Sequence, residues 1–267
     1  MERLMLAHQR HDEILRQVNE NGSVRVTDLV TQLEVSEMTV RRDIRVLAAR
    51  GLLERVHGGA VKVEREEQPG KPAVAVSSEE QKALAEAAMK TIRPGSAVFI
   101  GAGGCARSLA KQIIESEFFS SLTVVTNFLP VAKMLDDAQQ RQRDQGTVPA
   151  QVIIFGGQPE GYENLGPLTL VDAHSFHLHS VFIESEGLDA DTGLSCHSLD
   201  RAALHRVLIR NCDFATVMVP SGAWQRSALN IVCPINKLSR VIAGSEPPPE
   251  EAAAMKQAQI MVEVCDS

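Results

Sequence analysis

The chain has 267 residues, 44% of them apolar, and a net charge of −7, which suits one small and one medium core and excludes a general polycation. Five scattered cysteines without a C-x-x-C pair argue against a disulfide framework and for reduced thiols in a cytoplasm. The start, MERLMLAHQRHDEIL, does not read as a signal peptide, and no apolar run reaches the ~18 residues of a membrane span.

Charge is uneven along the chain. Residues 1–62 hold ten Lys/Arg against nine Asp/Glu, leaving about −8 for the rest, so a polyanionic partner is expected at the N-terminal end. A first helix is expected over Ala7–Asn19, with Ile14, Leu15 and Val18 on one face and Asn21-Gly22 as its stop. Thr27 is placed to N-cap a short second helix patterned by Leu29, Val30 and Leu33. After a break at Glu34-Val35, Ser36 is the candidate N-cap of a third helix that runs to Arg50, with Gly51 as its C′ residue. In that helix Val40, Ile44 and Leu47 face the core. Glu37, Arg41 and Arg45 lie opposite, with Thr39 and Arg42 at the flanks. Two short helices with a tight break and arginines on the second describe a helix-turn-helix, whose second helix enters the major groove of DNA. Next, "LLERVHGGAV" reads as a hairpin wing: Leu52–Val56, a turn at His57-Gly58-Gly59, and a return over Ala60–Val63. Arg55 and His57 are positioned there to touch phosphate. A merely solvated arginine face is disfavoured, because caps, break, core stripe and wing agree.

"EREEQPGKP", Glu64–Pro72, reads as a linker. The expected organisation is a winged helix-turn-helix over 1–63, a linker over 64–76 and an α/β sensing and oligomerisation domain over 77–267. From Ser77 onward helices alternate with short apolar strands, which implies a Rossmann-like, mostly parallel sheet covered on both faces. Ligands of such sheets bind at the C-terminal strand ends, here the loops after Ile100, Val125, Phe155, Ile183 and Val219. The candidate effector residues are therefore Gly101, Gly103, Gly104 and Cys105, whose helix-opening N–H groups suit an anion, together with Thr126, Asn127, Gly156, Gly157 and Glu184. Cys105 at a helix start is also placed for a lowered thiol pKa, but a small buried residue that merely fits the loop is the favoured reading. His174, His177, His179 and Cys196-His197 lack the convergence of a metal site; no metal or cofactor is expected.

The stretches Arg10-x3-Ile14-x3-Val18, Ser36-x2-Thr39-Val40-Arg41-Arg42-Asp43-Ile44, Gly51-Leu52 and His57-Gly58-Gly59-Ala60 resemble the DeoR family of bacterial transcriptional regulators. "LTVVTN", "VIIFGG", "LGPL" and "GLDADTGLS" extend the resemblance over nearly the whole chain. It implies that Ser36, Thr39, Arg41 and Arg42 belong to the DNA-reading helix and that Asp43 is structural, pairing with an arginine. It implies a sensor domain with the fold of sugar-phosphate isomerases and CoA transferases, which senses a phosphorylated sugar or related metabolite and releases DNA. The resemblance adds Lys82, where the family often carries a basic residue, and His205, where it has a lysine. Two further departures stand out. Gly101-Ala102-Gly103-Gly104-Cys105 replaces Asp-x-Gly-Thr-Thr, and Val219-Pro220-Ser221-Gly222-Ala223-Trp224 replaces Asp-Ser-Ser-Lys-Phe-Gly. With these charges missing, and Arg107 and His205 as partial substitutes, ordinary sugar phosphates are expected to bind poorly. A neutral, weakly charged or carboxylated metabolite is expected instead, or none. The expected function is a repressor of a carbohydrate or related catabolic operon. Its expected partners are a double-stranded DNA operator, a small effector and further copies of itself, as a homodimer or homotetramer. The alternatives are a second domain that only oligomerises, or a CoA-transferase-like enzyme using the carboxylates of Glu184-Ser185-Glu186-Gly187.

Overall fold

The computed structural model describes residues 7–33, 35–49, 53–56, 58–61 and 76–265. Contacts divide the chain into two compact units, Met1–Gln68 and Pro69–Ser267. The expectations for Gly51, His57 and the stretch 64–72 lie outside the described residues.

In the first unit, helices α1 (Ala7–Asn21), α2 (Val26–Leu33) and α3 (Glu37–Ala49) enclose one core. Ile14 and Val18 of α1 meet Leu29 and Leu33 of α2 and Val40, Ile44 and Leu47 of α3. The i, i+4, i+7 spacing on α3 puts its apolar groups on one stripe. Ser36 caps α3, its Oγ accepting the Thr39 N–H at 3.2 Å, an arrangement that contributes about 1 kcal/mol.

Thr27 does not cap α2. It lies inside the first turn, its hydroxyl donating to Asp28, and the N–H of Val26 is satisfied by the Gly58 carbonyl at 2.9 Å. The reason is an unanticipated strand, β1 (Ser23–Arg25), which pairs antiparallel with β3 (Gly59–Val61), itself paired with β2 (Glu54–Val56). The wing is thus a three-stranded sheet in the order β1-β3-β2. Both wing glycines are required. Gly58 has φ +88°, and a Cβ on Gly59 would stand 2.0 Å from the Val24 carbonyl oxygen, well inside contact distance.

The second unit is built on a seven-stranded sheet. Its strands are β4 (Ala97–Ile100), β5 (Thr123–Thr126), β6 (Gln151–Ile154), β9 (Leu178–Glu184), β12 (Cys212–Val219), β14 (Arg240–Ala243) and β15 (Met261–Val264). Their order is β15-β14-β12-β9-β4-β5-β6, and every pairing is parallel. Alternate residues feed two cores. Val98 and Ile100 join helices α4 (Ser78–Met89), α5 (Gly104–Glu115) and α6 (Leu129–Asp144). Phe99 joins α7 (Pro167–His174), α8 (Leu199–Arg210) and α9 (Pro249–Gln257) on the other face.

Additional elements lie outside the main sheet. A hairpin of β7 (Gln158–Glu160) and β8 (Glu163–Leu165) precedes α7. A small antiparallel sheet combines β10 (Gly187–Asp189), β11 (Gly193–Cys196) and β13 (Asn230–Cys233). Successive strands β4, β5 and β6 run outward on one side, and β9 returns to the other side of β4. That junction is the topological switch point, the place where open parallel sheets bind their ligands.

Candidate functional site

The exposed stripe of α3 carries Met38, Arg41, Arg42 and Arg45, spaced so that all four share one side. Glu37 receives the Nε of Arg41 at 2.8 Å. Both partners are over half exposed, so this pair contributes only about 0.3–0.5 kcal/mol and yields readily to a phosphate. Between α3 and the wing lies a small cleft of about 60 Å³ lined by Arg41, Arg45 and Arg55, with Ile44 and Gly59 at its floor. Helix and wing therefore bring three arginines to one concave surface.

Ser36 and Thr39 are exposed or half-buried beside this surface, and their hydroxyls lie 2.9 Å apart. Their first task is to begin the helix. Asp43 points the other way. It is 5% exposed and accepts from Arg10 Nε at 2.8 Å, with His11 Nε2 at 3.1 Å. Met38, 81% exposed, was not foreseen as part of this face. Its position three residues before Arg41 was the available signal.

In the second unit, the loop from Gly101 to Gly103 leaves β4 and enters α5, while β9 ends beside it on Glu184. The Gly101 N–H bonds to the Phe182 carbonyl at 3.0 Å and ties the loop to β9. The N–H of Cys105 donates to Glu184 Oε2 at 2.8 Å. Gly103 has φ +122°, and a Cβ there would stand 2.1 Å from the same oxygen. The protein's own carboxylate thus fills the place expected for an anion. Burial raises the Cys105 thiol pKa and the neighbouring Glu184 raises it further. The expected lowering at a helix start is overridden, so Cys105 is a protonated, buried thiol.

A second carboxylate occupies the next strand end. Glu80 on α4 accepts the Ser221 N–H at 2.7 Å and also the Ser221 hydroxyl. Lys82, expected at this site, is exposed and lies 3.7 Å from Glu86 on the helix surface. Two residues along a helix is a rotation of about 200°, which exchanges the inner face for the outer one. Gly104 begins α5 against Gln81, and Arg107 is exposed.

Other expected ligand groups are already engaged. Thr126 Oγ1 donates to the Ile100 carbonyl at 2.7 Å and accepts the Phe128 N–H at 3.0 Å. Asn127 holds Glu163 at 3.2 Å and the Asn164 carbonyl at 3.1 Å. Gly156 is tied to α7 through Asp172 and Thr169, and Gly157 packs against Thr169 and Leu165. These residues shape the edge, with their polar groups turned to the protein.

The sequence reading also missed Arg201 as a focus. Ser198 caps α8 and sets Arg201 one turn inside. Arg201 Nε meets Glu163 at 2.7 Å, and its other nitrogens reach Glu163 and Glu186. Glu186 also accepts the His197 N–H at 2.7 Å. Burial alone would raise the Glu186 carboxyl, but Arg201 and His197 together hold it below the ordinary range. Burial opposes the Arg201 charge too, and Glu163 and Glu186 outweigh it. His205, one turn further along α8, is 5% exposed. Burial first, then the Arg201 charge, lowers its pKa to about 3. It is a neutral imidazole and no substitute for a lysine.

Among the described residues, no group of three or more His, Cys, Asp or Glu is arranged to hold a metal. His177 pairs with Asp213 at 2.9 Å, and His179 accepts the Ala97 N–H at 3.1 Å. A cavity of about 500 Å³ lined by Arg93, His179, Phe214, Arg240 and Met261 opens at the N-terminal strand edge, opposite the edge where parallel sheets bind ligands. No described helix is long and apolar enough to cross a membrane.

Comparison with known proteins adds identity to this geometry. The family described as "DeoR-like helix-turn-helix domain" matches residues 10–66, and "DeoR C terminal sensor domain" matches residues 76–245. An uncharacterized HTH-type transcriptional regulator, YulB, of Bacillus subtilis (strain 168) is 27% identical over 97% of this chain and 96% of its own length. A lactose phosphotransferase system repressor of Streptococcus mutans is 30% identical over 69% of this chain and 71% of its own. Ribose 5-phosphate isomerase A of Methanocaldococcus jannaschii aligns at a TM-score of 0.38, with 14% identity and 55% of each chain covered.

Proposed function

This chain belongs to the DeoR family of transcriptional regulators, and from that membership we propose that it represses a carbohydrate catabolic operon, holding a double-stranded DNA operator until a sugar-derived effector reaches the switch point beyond β4 and β9. The convergence of Arg41, Arg45 and Arg55 on one cleft carries the DNA half of this reading. A DNA groove presents phosphates on its walls and base edges on its floor, and Arg supplies planar donors for both. In this reading Arg41 and Arg42 reach base edges, and Arg45 and Arg55 hold phosphate. Met38 packs against a thymine methyl, Ser36 and Thr39 set their hydroxyls at the DNA backbone, and Glu37 orients Arg41.

The sugar half is supported by the switch-point geometry and by the likeness to the lactose phosphotransferase system repressor of Streptococcus mutans. Winged helix over 1–63, linker over 64–76 and sensor over 77–267 are proposed as separable domains. The sensor domain joins copies into a homodimer or homotetramer, which a repeated operator requires, and the protein acts in the cytoplasm. The carboxylates that suggested an enzyme have structural work instead. Glu184 holds the start of α5, and Glu186 holds Arg201 and His197. The test is a mobility-shift assay with DNA from upstream of the protein's own gene. Specific retardation, relieved by an extract of cells grown on the cognate sugar, is the expected result; equal binding to unrelated DNA would overturn the reading.

A further inference from the structure

We propose that Glu184 sets the charge of the effector: its carboxylate takes the anion position at the start of α5, so that the site admits an uncharged or amine-bearing polyol and turns away a phosphate ester. This rests on the reading of the switch point as the effector site.

Three independent observations point the same way. First, the anion position is filled. Cys105 N–H donates to Glu184 at 2.8 Å, and the oxygen sits where any side chain on residue 103 would collide with it. A phosphate arriving here must displace a carboxylate that already satisfies the helix-opening N–H, or stand beside it and be repelled. Second, the neighbouring strand end repeats the pattern. The Ser221 N–H and hydroxyl are given to Glu80, which places a second negative charge on the same edge. The guanidinium of Arg201 is matched by Glu163 and Glu186, so its charge is already balanced within the protein.

Third, the layer of α8 behind these strand ends holds buried polar atoms left for water or a ligand. The Ser185 Oγ, His205 Nδ1 and Trp224 Nε1 are buried without a hydrogen-bond partner among the described residues. All three residues are more than nine-tenths buried. Ser185 directly follows β9, Trp224 lies just beyond the end of β12, and His205 is on α8, which packs on both strands. Protein interiors leave few such atoms unpaired. A hydroxyl, a neutral imidazole and an indole N–H suit hydroxyl or amide groups. None of them offers the charge-assisted pairs that make phosphate contacts strong.

The experiment is calorimetric titration of the full chain with inorganic phosphate, for wild type, Glu184→Ala, Glu184→Gln and the exposed control Glu115→Gln. Wild type and Glu115→Gln are expected to show no saturation up to about 20 mM, while Glu184→Ala gains at least about tenfold in affinity and Glu184→Gln gains less, because its amide still fills the space. Saturable phosphate binding by wild type at the level of Glu184→Ala would overturn the proposal, and so would the absence of any gain in both Glu184 variants. Circular dichroism confirms that each variant is folded. Operator binding, measured on the same samples, reports separately on the reading of the protein as a regulator.

Discussion

Arg10 on α1 donates to Asp43 on α3 across 2.8 Å, at a position where Asp43 is 5% exposed. Together with His11 Nε2, 3.1 Å from the same carboxylate, the pair ties α1 to α3 beside their shared apolar core and so helps fix the angle at which α3 presents its arginines. Removing one partner of a buried pair leaves the other charge uncompensated. Asp43→Ala is expected to destabilise the N-terminal unit by about 3 kcal/mol and to abolish specific DNA binding, while the sensor unit melts as before. Two-probe urea denaturation checks this; a single unchanged pair of transitions would count against it.

The wing depends on Gly59 for a steric reason. A methyl group at that position would meet the Val24 carbonyl and break the β1-β3 pairing. Gly59→Ala is expected to cost about 2 kcal/mol in the N-terminal unit, the range of a strained backbone substitution. Gly58→Ala, with open space but a left-handed backbone, is expected to cost about 1 kcal/mol. The comparison of their urea midpoints separates collision from strain.

His205 predicts a pH dependence. Its folded pKa lies near 3, against an ordinary value of 6.5, so the unfolded chain binds a proton that the folded chain refuses. Stability is full above pH 6.5 and declines as pH falls toward 3. Between pH 7.5 and 5 the sensor unit is expected to lose about 2 kcal/mol from this group. His205→Gln is expected to flatten that slope, as read by urea denaturation at each pH. His205→Lys buries a cation next to Arg201 and is expected to destabilise the unit and not to create a phosphate site.

The parts legible in the sequence are those with a period. The stripe Val40, Ile44, Leu47 announces α3, and "AVFI" and "LTVVT" announce buried strands, because a repeat of residue type needs no knowledge of the partner. β1 has three residues and no period, and only its pairing with Gly59–Val61 makes it a strand. The same holds for β7, β8 and the small sheet. The glycine loop after β4 was legible as a ligand approach. That Glu184 enters it was not, because the direction of a strand-end side chain is settled by tertiary packing. Lys82 and Glu80 show the same limit on a helix, where a short step along the chain exchanges solvent for the site.

The most direct test of the account is the operator affinity of Arg41→Ala, Arg42→Ala, Arg45→Ala and Arg55→Ala, measured by fluorescence anisotropy over a series of salt concentrations. Arg41→Ala and Arg42→Ala are expected to lose about 1–3 kcal/mol of discrimination between operator and unrelated DNA. Arg45→Ala and Arg55→Ala are expected to weaken all sequences alike and to lower the salt slope by about one each. Wild-type affinity, discrimination and salt slope in all four variants would contradict the assignment of this face to DNA.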